Sequence, residues 1–566
     1  MFNLKPGDIE QIDLKRYWAF WCVMLVIGLT AGMALAADSQ PPADKPMPPA
    51  GHKVGDKPPP PPPPPLRQLI EAKLGKQLTA DQHTQIKDAM ETRQATVSQY
   101  GITWTFDKKY PVGQFLTGDW WVVGPVTVTA ISPAPEGGRH GSMVNPRPGL
   151  DPAAGEGQAY DDRIERYNAA LLRKPPFSLK PNESLISTIS ILPPDLTNGV
   201  YLDLMGYDVV RQGGTWCATH VKSAAVLTCL AAPPPPNSFR PPYAGSTKTL
   251  HSADKLRTDL LPNVEPAPGA PALDKYARLF ERPWIDHLGA ASRSLHPAQN
   301  MPNYGREIAT AVGEAGLLLC CNYPPEQKRP LLIGLIQVGL DNYGAVLANK
   351  HAWPSNGGHD IGRKFPILFA GLMLDNKEML ARDDYDVQED IATYFGSDGK
   401  HLWTGWQNSG HKYAADVMYS FMRDTKEDEK GHPLDYEHLP PTKWNDPPFA
   451  GRNMFPWDKY EPYRRLVAAA IIGQGLAARM LGLKQAWNHG AFFAYCDRWV
   501  YENDEPNRKA LADAATAGKW GGNSAPKDWY PFGGTASSKW MLAMYLKYRD
   551  ACDDKSPPPK PQAGRK

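Results

Sequence analysis

Hydrophobic spacing divides the chain into stretches of different period. From Leu66 to about Gln99, Leu69, Ile70, Leu74, Ile86, Ala89 and Met90 recur at helical spacing, with Thr79-Ala80-Asp81-Gln82 as a start signal, which predicts two short helices. After Gly101 the period changes. The stretches Ile102 to Phe106, Trp120 to Ile131, Leu185 to Leu192 and Ala225 to Leu230 are rich in β-branched, aromatic or apolar residues and mostly bounded by Gly, Pro and Asp. They predict a β-rich accessory domain reaching about residue 232. From Ala272 to about Asp550 the pattern is helical again. Helices are predicted over Tyr304 to Cys321, Glu326 to Asn349, Arg363 to Leu374, Asp386 to Phe395, Lys412 to Met422, Tyr460 to Met480, Ala491 to Glu502 and Ser537 to Arg549. Several are apolar nearly all round, Leu466 to Leu481 above all, which suits the inner wall of a two-layer helical ring. The expected fold class is therefore mainly α: an incomplete (α/α) toroid or barrel preceded by a smaller β-rich domain. No short self-similar period points to a regular solenoid.

The ends and connections read differently. Tyr17 to Ala36 carries no charge, follows Lys15-Arg16 and ends in Ala34-Leu35-Ala36, the pattern of a signal peptide and its cleavage site. A run of about 20 apolar residues also has the length of a membrane anchor. Cleavage is the favoured reading, and either one places the bulk of the protein in the periplasm, the cell envelope or outside the cell. The chain holds 58 prolines, eight of them consecutive from Pro58 to Pro65, so residues 37–65 are expected to form an extended Pro-rich spacer. A second Pro-rich connection begins at Pro233 to Pro236. The expected organisation is 1–36 signal or anchor, 37–65 linker, 66–265 short helices, β-rich domain and connection, 266–555 helical toroid, and 556–566 a disordered tail.

Charge narrows the choice of partners. With 62 Lys+Arg against 60 Asp+Glu, the net charge of +2 provides no global attraction to nucleic acid, so an anionic ligand must meet a local cluster of cations. Apart from Cys22 in the leader, the cysteines are Cys217, Cys229, Cys320, Cys321, Cys496 and Cys552. Cys217 and Cys229 flank a β-like stretch and suit a hairpin-stapling disulfide. Cys320 and Cys321 on an apolar helix are expected to be buried thiols. No CxxC spacing supports a structural zinc or a redox dithiol.

The densest polar constellation lies at residues 351–366, where His351, Asn356, His359, Asp360, Arg363 and Lys364 crowd a Gly-rich loop before a helix. Free N–H groups and cations there could converge on a carboxylate. A Gly-rich turn with solvated charges would produce the same pattern. A second group, residues 403–413, joins Trp403 and Trp406 to Gln407, Asn408, His411 and Tyr413. Indole faces with amides and cations suit a saccharide subsite, and equally a packed aromatic core. Tyr304 and Arg306 stand at a helix start. There is no GxSxG, HExxH, Walker A or dinucleotide fingerprint in its required context. Paired carboxylates for glycoside hydrolysis could come from Asp341, Asp360, Asp383, Asp384, Asp398, Glu437 or Glu461.

Gly101 to Asp107, Gly113 to Pro125 and Asn356 to Gly371 resemble segments of large secreted bacterial proteins related to polysaccharide lyases of the α/α-toroid type, the alginate and glucuronan lyases, mainly over residues 272–550. The resemblance implies β-elimination on an acidic, uronate-containing polysaccharide with no obligatory metal and no cofactor. It assigns Asn356, His359 and Arg363 to the developing enolate, His411 or Tyr413 to base and acid, and Tyr304 as a competing tyrosine. Trp403, Trp406, Gln407, Asn408, Lys364, His351 and Arg306 would bind substrate. A tether to membrane or wall through the N-terminus is the further partner expected. The alternatives are a glycoside hydrolase on the same scaffold and a non-catalytic carbohydrate-binding envelope protein.

Overall fold

The computed structural model describes residues 92–149, 151–192, 219–289, 294–302, 304–350, 352–353, 359–382, 387, 396–397, 402–403, 457–488, 490–501 and 538–552. The leader, the linker, the helices expected over 66–91 and the tail lie outside them. So do most of the helix expected over Asp386 to Phe395 and all of that over Lys412 to Met422.

Eight strands form one mixed sheet: β1 (Thr92–Gln99), β2 (Ile102–Gln114), β3 (Trp120–Val123), β4 (Val126–Ser132), β5 (Ser142–Val144), β6 (Phe177–Leu179), β7 (Glu183–Ser190) and β8 (Val221–Leu230). Their order is β5-β7-β8-β3-β2-β4-β6, with β1 also on β2. The β3–β8 pair is parallel, Trp120 opposite Leu227, and the others are antiparallel. Bulges between Gln94 and Thr96 on β1 and between Thr105 and Phe106 on β2 bend the long β2 hairpin. The sheet curls into a half-barrel. Ile102, Trp104, Phe106, Val122, Val128 and Leu227 fill its inner face. Ile186, Val226 and Ala224 point the other way, onto Tyr160, Tyr243, Ile285, Leu288 and Leu295. That double burial leaves nearly every position of β7 and β8 buried, their serines and threonines included.

The Gly113 to Pro125 segment is explained by this packing. A Cβ on Gly113 would lie 2.3 Å from the Trp121 ring, and one on Gly124 would lie 2.1 Å from the Cys229 sulfur. Trp120 and Trp121 face opposite sides, as alternation requires. Trp120 packs on the inner cluster and donates to the Ser98 carbonyl at 3.0 Å, while Trp121 packs with Phe115 and Leu230.

The helices are α1 (Leu273–Phe280), α2 (Gly305–Cys320), α3 (Pro325–Ala348), α4 (Lys364–Met373), α5 (Lys377–Ala381), α6 (Trp457–Met480), α7 (Lys484–Trp487), α8 (Gly490–Tyr501) and α9 (Lys539–Tyr548). They share one large apolar core. At its centre α2 crosses α6 with almost no side chain between them: a Cβ on Gly313 would sit 2.8 Å from the Gln474 backbone nitrogen. Helix α3 has the length and hydropathy of a membrane span, yet 89% of its apolar window is buried inside the protein. Asp497 on α8 gathers Arg479 of α6 with Tyr545 and Arg549 at the α9 end.

Three expectations are corrected. The mainly α toroid is not observed: the described residues are 38% helix and 23% strand, and the strands build a curled mixed half-barrel. All-round apolar helices signal burial on every side, but neighbouring helices can supply that cover without closing a ring. The helical period assigned as far as Gln99 fails over Thr92–Gln99, which is strand β1. Thr92, Thr96 and Val97 favour extended backbone there, and β2 offers a free edge. Cys229 is a buried free thiol rather than half of a disulfide with Cys217; it donates to the Leu179 carbonyl at 3.5 Å, and burial pushes its pKa up to about 12. Cys320 and Cys321 are buried thiols outside any disulfide, as expected.

Candidate active site

The approach to α4 sets the geometry. Gly362 has φ +93° and lies so close to α2 that a Cβ would be 2.7 Å from the Ala309 nitrogen. A side chain is excluded there both by backbone conformation and by space. The turn delivers Arg363 into the interior, where it is 1% exposed. Its Nε donates to Asp286 Oδ2 at 2.8 Å, and its Nη1 donates to the carbonyls of His359 at 3.0 Å and Ile361 at 2.7 Å. Burial alone would raise the Asp286 pKa, but Arg363 and His296 hold it well below the usual carboxylate range. His296 Nδ1 faces the Pro302 carbonyl at 2.9 Å, an acceptor only, so Nδ1 carries a proton. Lys364 is also buried, donating to the Trp487 carbonyl with its ammonium 5.6 Å from the indole centre. Arg363 and Lys364 thus brace the loop from within.

His359 is brought against Tyr304, the residue that precedes α2. The two rings meet edge to face with centroids 4.7 Å apart and planes at 71°. His359 is 8% exposed and Tyr304 is half-buried. The Arg306 guanidinium lies 6.0 Å from the Tyr304 ring and bonds Glu307 Oε1 through Nε at 2.9 Å and Nη2 at 2.5 Å. Tyr304, Arg306 and His359 are therefore the sequence-predicted site residues that the fold gathers at one place. A phenol, an imidazole and a guanidinium together can move a proton and meet a carboxylate.

Asn356, His351, Trp406, Gln407, Asn408, His411 and Tyr413 lie outside the described residues. Trp403 is described in its backbone, pairing with Gly396 in the short ladder of β9 (Gly396–Ser397) and β10 (Leu402–Trp403). Of the carboxylates considered for hydrolysis, Asp341 is bound by Arg240 and Asp360 is fully buried.

The fold also brings together polar groups away from this contact. Glu307 and Glu314 line one cavity beside α2, and burial raises the Glu314 pKa to about 7, against the opposing pull of Ser538 and Lys275. The sequence marks Glu314 as the one charged residue in the apolar run Ile308 to Cys320. Asp286 and His296 come from an irregular segment with no period to mark them. On the sheet side, Arg139, Arg173, Lys174, Tyr167 and Phe177 line a cavity of about 410 Å³, cationic and aromatic together. No group of three or more metal-ligating side chains occurs among the described residues. No family model, curated protein or solved structure matches the chain.

Proposed function

We propose that this protein is a secreted or envelope-tethered lyase that cleaves an acidic, uronate-containing polysaccharide by β-elimination. The observation that carries the reading is the Tyr304–His359 contact with Arg306 beside it. In the proposed reaction Arg306 meets the uronate carboxylate and lowers the cost of charge developing next to C5. His359 removes the C5 proton, and the Tyr304 hydroxyl protonates the C4 oxygen as its bond to carbon breaks, leaving a double bond between C4 and C5. Arg363 acts as a positioning residue, since it fixes the His359 carbonyl and not the substrate. The cationic, aromatic cavity on the sheet suits an anionic saccharide and supports the same substrate class. The extracytoplasmic placement rests on the apolar run Tyr17 to Ala36 behind Lys15-Arg16.

Hydrolysis draws less support. A glycosidase pair must flank the scissile bond, whereas Glu307 and Glu314 stand on one helix and so on one wall of their cavity. The deciding experiment incubates the full chain with alginate, glucuronan and other uronate polymers, following ultraviolet absorbance of the unsaturated product and reducing ends together. Both should rise, and Tyr304→Phe should slow both by roughly 100-fold with the fold intact. Reducing ends without absorbance, or unchanged turnover in Tyr304→Phe, would overturn the reading.

A further inference from the structure

The cavity of about 410 Å³ on the sheet side is lined by three cations, Arg139, Arg173 and Lys174, and among the described residues no carboxylate lines it. One of the three is already neutralised: Arg139 Nη1 bonds Asp162, and the Gly138 carbonyl at 3.1 Å. Arg173 and Lys174 are exposed side chains with no ion pair to any described residue. Adjacent like charges left in this way concentrate a positive potential on the cavity. Two aromatic rings complete the wall. Phe177 lies on β6 opposite Val128 of β4 and packs on the inner cluster of the half-barrel, whereas Tyr167 packs on the cluster across the sheet. Both are half-buried, so each keeps surface for the cavity. Their backbone is fixed by the fold. The Asn168 N–H donates to the Gln158 carbonyl at 2.7 Å, and the Arg173 N–H donates to the Ser142 carbonyl of β5 at 2.9 Å. The ordering cost of binding therefore falls mainly on two long side chains.

We propose that this cavity is a second, non-catalytic binding site for an acidic saccharide, its carboxylates met by Arg173 and Lys174 and the C–H face of a ring laid against Tyr167 and Phe177. The guanidinium fork suits one carboxylate bidentately, and the ammonium meets the next as a point charge. A neutral sugar would leave both cations unanswered, and inorganic phosphate would leave the aromatic surface uncovered. Single-stranded nucleic acid also uses cations with aromatic rings, but the extracytoplasmic placement proposed above argues against it. The volume lies toward the lower end of small-molecule sites, which suits a short segment of a chain. The site shares no residue with the Tyr304–His359 contact. Naming the segment a uronate oligomer rests on the proposed lyase reading, whereas the requirement for negative charge rests on the cavity itself.

The test titrates the full chain carrying Tyr304→Phe, which slows turnover, with tetrasaccharides of alginate and glucuronan and with their carboxyl-reduced counterparts by isothermal calorimetry. The acidic oligomers should bind more tightly than the reduced ones by about tenfold or more, and adding Arg173→Gln with Lys174→Gln should remove one binding site. Where the lyase reading also holds, the oligomer fills two sites and the added pair of substitutions leaves one. Where only the cavity binds, it fills one site and the substitutions leave none, which sinks the lyase reading alone. Equal binding of acidic and reduced oligomers, an unchanged titration after the two substitutions, or tighter binding of oligothymidylate at this site would overturn the proposal. Should the substituted chain fail to fold, hydrogen exchange on its parent decides: the acidic oligomer should slow exchange across residues 169–177, and unchanged exchange there would refute the site.

Discussion

At Glu314, burial and ionisation pull in opposite directions. Its pKa rises from an ordinary 4.5 to about 7, chiefly because burial penalises the charged carboxylate. Below pH 4.5 the group is neutral in both the folded and the unfolded chain and costs nothing. Between 4.5 and 7 the folded chain binds the extra proton, so stability falls as pH rises, and above 7 the full penalty of about 3 kcal/mol is present. Glu314→Gln should therefore gain stability relative to wild type as pH is raised from 4.5 to 8, by about 3 kcal/mol, in urea denaturation followed at each pH. A parallel pH dependence in the two proteins would remove Glu314 as the source. Arg363 teaches the reverse lesson. Its sequence context made it a candidate for substrate, but a guanidinium with Asp286 and backbone carbonyls already around it is an internal brace.

Among the elements, the α2–α6 crossing is where one missing side chain decides the geometry. Gly313 meets Gly473 and Gln474 backbone to backbone, and both helices are buried along this contact. Gly313→Val would drive the helices apart and should cost about 1–3 kcal/mol or more in urea denaturation, the range for overpacking a filled core. An unaffected midpoint would mean the crossing relaxes freely. Both helices were legible from their apolar period to within a few residues of the observed ends, because length and burial reinforce each other in them. Strand β1 was not legible. Thr92–Gln99 alternates weakly and is mostly exposed or half-buried, so its pairing with β2, rather than its own pattern, makes it a strand.

Across the whole molecule, Arg240 joins the sheet to the helices. Fully buried, it donates through Nε to Asp119 at 2.7 Å on the turn before β3, and through Nη1 and Nη2 to Asp341 of α3 at 2.9 and 2.6 Å. Burial works against the Arg240 charge, but the two carboxylates outweigh it and push its pKa up; burial raises that of Asp341, with Arg240 opposing. Arg240→Met leaves two buried carboxylates without their cation and should cost about 3–5 kcal/mol, read as a lowered denaturation midpoint. A change below 1 kcal/mol would mean that the sheet and helices hold together without it.

The sequence by itself determined the elements whose hydrophobic period is strong: α2, α3, α4 and α6, and the strands β2, β7 and β8. It also marked His359, Tyr304 and Arg306 as chemically dense positions. Only the tertiary structure decided how the apolar helices are covered, that the strands curl into one mixed half-barrel, and which partner each cation meets. Local pattern reports that a face must be buried and that a charge must be satisfied. It does not name the partner, because Asp286 for Arg363, or Asp341 for Arg240, lies some 80 to 100 residues away along the chain.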